Sequence, residues 1–224
     1  MARARTSVGL GRFSGIIGDM VASQGQDGMI LRSRWTSHAR RTLPQLEHTE
    51  RLRIVNRLWD DLSREECTAW RAYAVTLSSR NPSTGGLKIP RACGLFVGLG
   101  TKYLQIHGGA EPPRLPPEGR FAGDVLSIAA EGEEMALSFV SDGTNRPGVA
   151  TEILSQPLTG PNNLPKIKSY KSRGFVAFEA GVPVEIPVEL SLYWACAFRF
   201  VEPATGRMTE LLEIGTTMVY RSDG

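Results

Sequence analysis

Histidine is scarce in this chain of 224 residues, which holds His38, His48 and His107 and no others. A metal site needs ligands at helical or turn spacing, and these three stand far apart. Cysteine is equally sparse. Cys67, Cys93 and Cys196 make no C-x-x-C pair and are odd in number, which argues against a disulfide framework and against zinc. Free cysteines of this kind pack as small apolar residues and suit a reducing compartment, such as the cytoplasm where the chain would be made. The opening MARARTSVGLGRFSG lacks the apolar core of a signal peptide. No apolar run approaches membrane-spanning length, so no membrane partner is expected.

Catalytic signatures are missing as well. No G-x-S-x-G nucleophile turn occurs. GLGRFSG, residues 9–15, places its third glycine one position late for a dinucleotide fingerprint, and no strand precedes it. GLFVGLGTK, residues 94–102, has Thr and Lys in the wrong order for a phosphate loop. Glu131, Glu133 and Glu134 crowd into AAEGEEMA, which reads as a solvated hairpin tip rather than a catalytic carboxylate pair. Asp142 and the Asp60-Asp61 pair lack the alternating oxygen ligands of a calcium loop. The expectation is a protein that is not an enzyme, with no catalytic residues, no cofactor, no metal and no small-molecule substrate.

Lysine is absent from the first 48 residues, where Arg3, Arg5, Arg12, Arg32, Arg34, Arg40 and Arg41 face only Asp19, Asp27 and Glu47. Arginine makes planar, bidentate contacts to carboxylate or phosphate. The segment therefore reads as a basic arm for an acidic surface or nucleic acid, or else as a solvated terminus. Over the whole chain the net charge is only +3, well short of a dedicated DNA-coating protein. Hydrophobic content of 41% and charged content of 22% exclude wholesale disorder.

Within the arm, FSGIIGDMVASQGQDGMILRSR reads as a β-hairpin. Ile16, Ile17, Met20, Val21, Met29, Ile30 and Leu31 supply the apolar side chains; Gly25, Asp27 and Gly28 supply turn chemistry. A lone hairpin is marginal in water, and the chain that follows offers no strand to pair with it. The ribbon is therefore expected to pair with a neighbouring subunit's sheet or to lie along that subunit, with Arg12, Phe13, Arg32 and Arg34 among the contacting residues. An extended connection is expected up to residue 48.

From Thr49 the period becomes helical. Leu52, Val55, Leu58, Trp59 and Leu62 share one face, and Ser63 to Glu66 is an S-x-x-E capping box that starts a second helix. That helix carries Cys67, Trp70, Tyr73, Ala74 and Leu77 on one face. A third helix after Pro90 would bury Phe96, Leu99, Tyr103 and Ile106, with Gly94, Gly98 and Gly100 allowing close backbone packing. EPPRLPPE, residues 111–118, reads as a stiff linker.

Beyond it the period is two. DVLSIAA, EMALSFVS, VATEILSQ, GFVAFEA, LYWACAFRFV and MTELLEIGTTMVY read as strands, joined by either 166–170 or 184–188. Alternation in LYWACAFRF puts Trp194, Cys196, Phe198 and Phe200 in a core and Tyr193, Ala195, Ala197 and Arg199 outside. The fold class expected is α+β: an arm and hairpin at 1–48, a helical segment at 49–110, a proline-rich linker at 111–119 and an immunoglobulin- or fibronectin-like antiparallel β-sandwich at 120–224.

The order of these features resembles a loose group of uncharacterised phage- and prophage-associated proteins. Gly15, Gly18 and Asp19 match an SGxxGD start, Arg32, Ser33 and Arg34 an RSR element, and Trp59, Leu62, Ser63 and Trp70 a W…LS…AW helix pair. The resemblance implies a structural component of a virion or phage-like particle, whose partners are copies of itself or other virion proteins. Two other readings stand beside it. One is a nucleic-acid-binding protein using the basic arm. The other is a carbohydrate- or receptor-binding module, with Asn162, Asn163, Tyr170 and Tyr193 as first suspects.

Overall fold

The computed structural model describes residues 2–4, 15–25, 28–34, 42–80, 85–189 and 191–220; of these, 2–4, 17, 24, 25, 28 and 29 are described by their backbone alone. Arg12 and Phe13 lie outside the described residues, as does His38. The chain divides into two compact units, Met1–Gln45 and Leu46–Gly224.

The first unit is a four-stranded antiparallel sheet. Strands β1 (Ala2–Ala4), β2 (Gly15–Ile17), β3 (Met20–Gly25) and β4 (Gly28–Ser33) are ordered β1-β4-β3-β2. The hairpin expected from the sequence is β3–β4, paired down to Gly25 opposite Gly28. The expectation that it has no strand to pair with is overturned. Ala2–Ala4 pairs with β4 on one side, and β2 pairs with β3 on the other. The first apolar run is not one strand but two, folded at Gly18-Asp19. Gly18 takes φ +56°, a left-handed conformation that a side chain would strain, and Ile17 then pairs with Met20. Three-residue strands among arginines leave no periodic signal, so the sequence could not show them.

Helix α1 (Leu43–Asp60), whose first three residues fall in the first unit and the rest in the second, starts before the expected Thr49 and shortens the extended connection. The overlooked signal is T-x-x-Q. The Thr42 N–H donates to Gln45 Oε1 at 3.1 Å, the reciprocal half of a capping box, and Pro44 is tolerated in a first turn. Helix α2 (Arg64–Thr76) has the full box: Glu66 N–H donates to Ser63 Oγ at 3.2 Å, and Ser63 N–H to Glu66 Oε2 at 2.7 Å. A short ribbon, β5 (Ser79–Arg80) and β6 (Leu87–Lys88), leads to α3 (Ala92–His107), which stops at Gly108 with φ +69°.

The three helices share a core of Val55, Trp70, Phe96 and Leu104, with Leu58, Trp59, Leu62 and Tyr73 around it. Phe96 meets Trp70 edge-on at 5.3 Å and Trp59 at 5.6 Å between ring centroids. Gly100 is the glycine that brings α1 and α3 together, since a Cβ there would sit 2.7 Å from Val55 Cγ1. Gly98 faces open space.

Residues 111–119, expected as a linker between domains, run inside this unit. Pro112 is buried. Trp70 Nε1 donates to the Arg114 carbonyl at 2.8 Å, and the Arg114 guanidinium reaches Glu66 at 3.1 Å and the Asp61 carbonyl at 2.7 Å. Aromatic and charged anchors on the helices thus hold the stretch whose composition reads as a stiff linker.

Eight strands follow: β7 (Ile128–Glu133), β8 (Ala136–Ser141), β9 (Ala150–Leu158), β10 (Lys171–Val176), β11 (Val184–Pro187), β12 (Tyr193–Glu202), β13 (Arg207–Met208) and β14 (Leu212–Met218). One sheet is ordered β10-β9-β12-β13 with β14 also paired to β12; the other is β11-β8-β7. The named strands pair antiparallel, so the fold is mixed α+β. Ile128, Leu137 and Phe139 from the smaller sheet meet Ile153, Trp194, Cys196, Phe198 and Phe200 from the larger in a common core. The first strand begins at Ile128 rather than Asp124. Residues 166–170 form a 3-10 turn, Ile167–Ser169, rather than a strand. Among the described residues no helix is long and apolar enough to cross a membrane.

Candidate functional site

The residues expected to bind a partner are placed by the register of the N-terminal sheet. Val21 stands between Ile16 on β2 and Arg32 on β4, and Ser23 faces Ile30. These alternate with a second row in which Met20 faces Ser33 and Ala22 faces Leu31. Ile16, Val21, Ile30 and Arg32 therefore lie on one face; Met20 and Leu31 lie on the other, with Ile17 and Met29 at the same register positions. The expected site is split between two faces rather than gathered on one. Ile16 is 60% exposed and Met20 43% exposed, so each face shows an apolar side chain to solvent. Arg32 and Arg34 are exposed and have no carboxylate partner among the described residues. The Arg34 N–H donates to the Asp19 carbonyl at 2.6 Å, which closes the β3–β4 ladder onto the Gly18-Asp19 turn. Both outer strands, β1 and β2, are three residues long. Edges that short offer little to an added strand, so contact through a face is favoured over strand addition.

A second constellation was invisible to the strand pattern. Alternation placed Ala195, Ala197 and Arg199 outside, yet Ala195 and Ala197 are buried. Helix α3 reaches this side of β12 through Lys102. Its Nζ lies 2.9 Å from Glu152 Oε1 and 2.7 Å from Gln105 Oε1, while Arg199 Nε lies 2.6 Å from Glu152 Oε2. The Glu152 side chain is wholly buried. Burial works against its charge, but the Arg199 hydrogen bond and the Lys102 ammonium outweigh it and hold the carboxyl below the ordinary range. A lysine in a glycine-weakened helix and a glutamate in a strand carry no joint signal at a separation of fifty residues.

Other ion pairs also build structure. Arg207 grips both oxygens of Glu202, at 2.8 and 2.9 Å, and donates to the carbonyls of Glu118 and Gly119. Asp124 accepts from the Arg146 backbone at 2.7 Å and its Nε at 2.9 Å. Among the described residues no cluster of three His, Cys, Asp or Glu could hold a metal. His48 is exposed on α1; His107 closes α3, with Nε2 donating to the Pro203 carbonyl at 2.9 Å. Cys196 is sealed in the core, and burial pushes its thiol up to about 12.

The suspected carbohydrate residues do not converge on one aromatic row. Asn163 lines a shallow hollow with Gln156, Leu164 and Lys166, while Tyr170 and Tyr193 are half-buried and do not line it. Burial, helped by the neighbouring Glu213, pushes the Tyr170 hydroxyl up to about 12.

No family model and no curated protein matches the sequence. Among solved structures, the ligand binding region of Serine-glutamate repeat protein A (SgrA) of Enterococcus faecium matches 43% of this chain and 98% of its own, at 14% identity and a TM-score of 0.25. A likeness that low assigns nothing to this chain.

Proposed function

We propose that the chain is a non-enzymatic structural subunit of a phage or phage-like particle, docked on neighbouring subunits through its N-terminal sheet. The observation that carries this reading is that the sheet shows an apolar side chain to solvent on each face. Folded domains bury a sheet face against a second layer. In Met1–Gln45 such burial reaches Ala22, which is 2% exposed, while Ile16 and Met20 stay open on opposite faces. A neighbouring subunit would cover one of them. The motifs shared with phage-associated proteins fit a structural role. Gly18-Asp19 makes the turn between β2 and β3, Ser63 caps α2, and Trp59, Leu62 and Trp70 build the helical core. The two sheets meeting at one core further support an immunoglobulin- or fibronectin-like sandwich as the architecture of the β region.

The test compares full-length protein with a chain beginning at Thr42, which spares the start of α1, by light scattering and by incorporation into particles. Incorporation lost with the first 41 residues supports docking through the sheet; normal incorporation without them refutes it. Arg32 and Arg34, exposed and without a carboxylate partner among the described residues, favour nucleic acid as a second reading. Steeply salt-dependent DNA affinity would support that one.

A further inference from the structure

A groove of about 720 Å³ opens in the second unit between α2, α3 and β13. Tyr73, Leu77, Leu99, Phe121 and Met208 give it apolar walls, and among the described residues no carboxylate lines it. One wall is braced in advance: Arg207 holds Glu202 and the carbonyls of Glu118 and Gly119, and its guanidinium lies over the Phe121 ring. The charge of Arg207 is thereby matched. Arg120 also lines the groove, is exposed, and has no partner among the described residues. The site suits an apolar side chain flanked by carboxylates.

This chain carries such an element. The β7–β8 turn presents Met135, 37% exposed, beside Glu131 and Glu133, which share one face of β7. Met135 sits at φ +55°, a left-handed conformation unusual for a side chain of its size. It is fixed there by its neighbours: its N–H donates to the Tyr220 carbonyl at 3.3 Å, and its carbonyl accepts from Val188 at 3.0 Å. The turn is thus a rigid knob with an apolar tip and an acidic flank.

Knob and groove lie at opposite ends of one strand. Arg207 and Met208 pair with Glu202 and Val201 at the end of β12, while Tyr220 continues from Met218, which pairs with Tyr193 at its start. Nine residues of strand separate the ends by roughly 30 Å. The knob therefore cannot fill the groove of its own chain. We propose that copies of this chain associate head to tail, the acidic Met135 turn of one seating in the Arg120 groove of the next. Such a contact is heterologous, and repeated it closes a ring or extends a filament. The inference rests on the reading of the chain as an assembly subunit and adds a second contact to it.

A charge swap tests it in the full chain. Wild type, Arg120→Glu and the double variant Glu131→Lys with Glu133→Lys are followed by sedimentation across a concentration series, each checked for native folding by circular dichroism. Wild type should gain mass with concentration, each variant alone should gain less, and an equimolar mixture of the two should recover the wild-type gain. A wild type that stays monomeric throughout overturns the contact, as does association equal in all samples. Association lost only on changing Ile16 and Met20 would likewise overturn it, while leaving docking through the N-terminal sheet intact.

Discussion

Lys102 and Glu152 meet at 2.9 Å across the junction of helix α3 and strand β9, with side-chain exposures of 8% and 0%. Arg199 holds the second carboxylate oxygen from β12. One buried anion thus ties a helix to two strands. Replacing Glu152 by Gln leaves two cations facing each other without their counter-charge. Glu152→Gln should destabilise by on the order of 3 kcal/mol, and more than Lys102→Met, which leaves the Glu152–Arg199 pair intact. Chemical denaturation of the three proteins checks the order.

The glycines of α3 should respond with opposite signs. Gly98 has nothing within 4 Å of an added Cβ, so Gly98→Ala should stabilise by about 1 kcal/mol through helix propensity. Gly100→Ala meets Val55 Cγ1 at 2.7 Å and should destabilise by roughly 1–3 kcal/mol. Thermal unfolding of both variants reads the difference directly.

Gly206 presses harder still. It sits at φ +76° in the turn before β13, and a Cβ there would stand 2.3 Å from the Leu99 carbonyl of α3. Gly206→Ala should loosen the β12–β13 end from the helix and cost roughly 2 kcal/mol or more. Faster amide exchange at Leu99 to Tyr103 would report it; unchanged exchange would contradict the tight approach.

Acid should weaken the fold in a defined sense. Glu202 is held below the ordinary carboxylate range by its Arg207 hydrogen bond. Glu152 and Asp124 are held there too, their burial outweighed respectively by Arg199 with Lys102 and by the Arg146 and Val125 N–H groups. All three bind protons more readily unfolded than folded. Their stabilisation is complete above the unfolded values near about 4 and is lost as pH falls through the lower folded values. Melting temperature should drop on acidification, and less steeply in Glu202→Gln.

Ile16→Asp with Met20→Asp should abolish association through the N-terminal sheet while moving the unfolding of the second unit by no more than about 0.5 kcal/mol. Partner capture and calorimetry on the same sample separate the two effects.

What the sequence revealed was what repeats locally. The capping box at Ser63, the helical stripe through Trp59 and Trp70, and the alternation around Trp194 all reappear where the pattern puts them. What it concealed depends on distant neighbours. The outward face of β12 proved buried at Ala195 and Ala197, and beside it α3 reaches Glu152 of β9 with a lysine that looks like a surface residue. The N-terminal ribbon seemed unpartnered because Ala2–Ala4 and Gly15–Ile17 are too short to show a period. The groove needs α2, α3 and β13 together, and none of its walls is marked by spacing.

The ion pair of Arg114 with Glu66 has a consequence for ancestry. A proline-rich stretch is the natural place for modules to be shuffled between genes. Here a crossover before Arg114 would part it from Glu66, and one anywhere in the stretch would part Lys102 of α3 from Glu152 of β9. The helices and the β region should therefore be inherited as one piece, and exchange of parts should fall instead near Thr42, just before α1 begins.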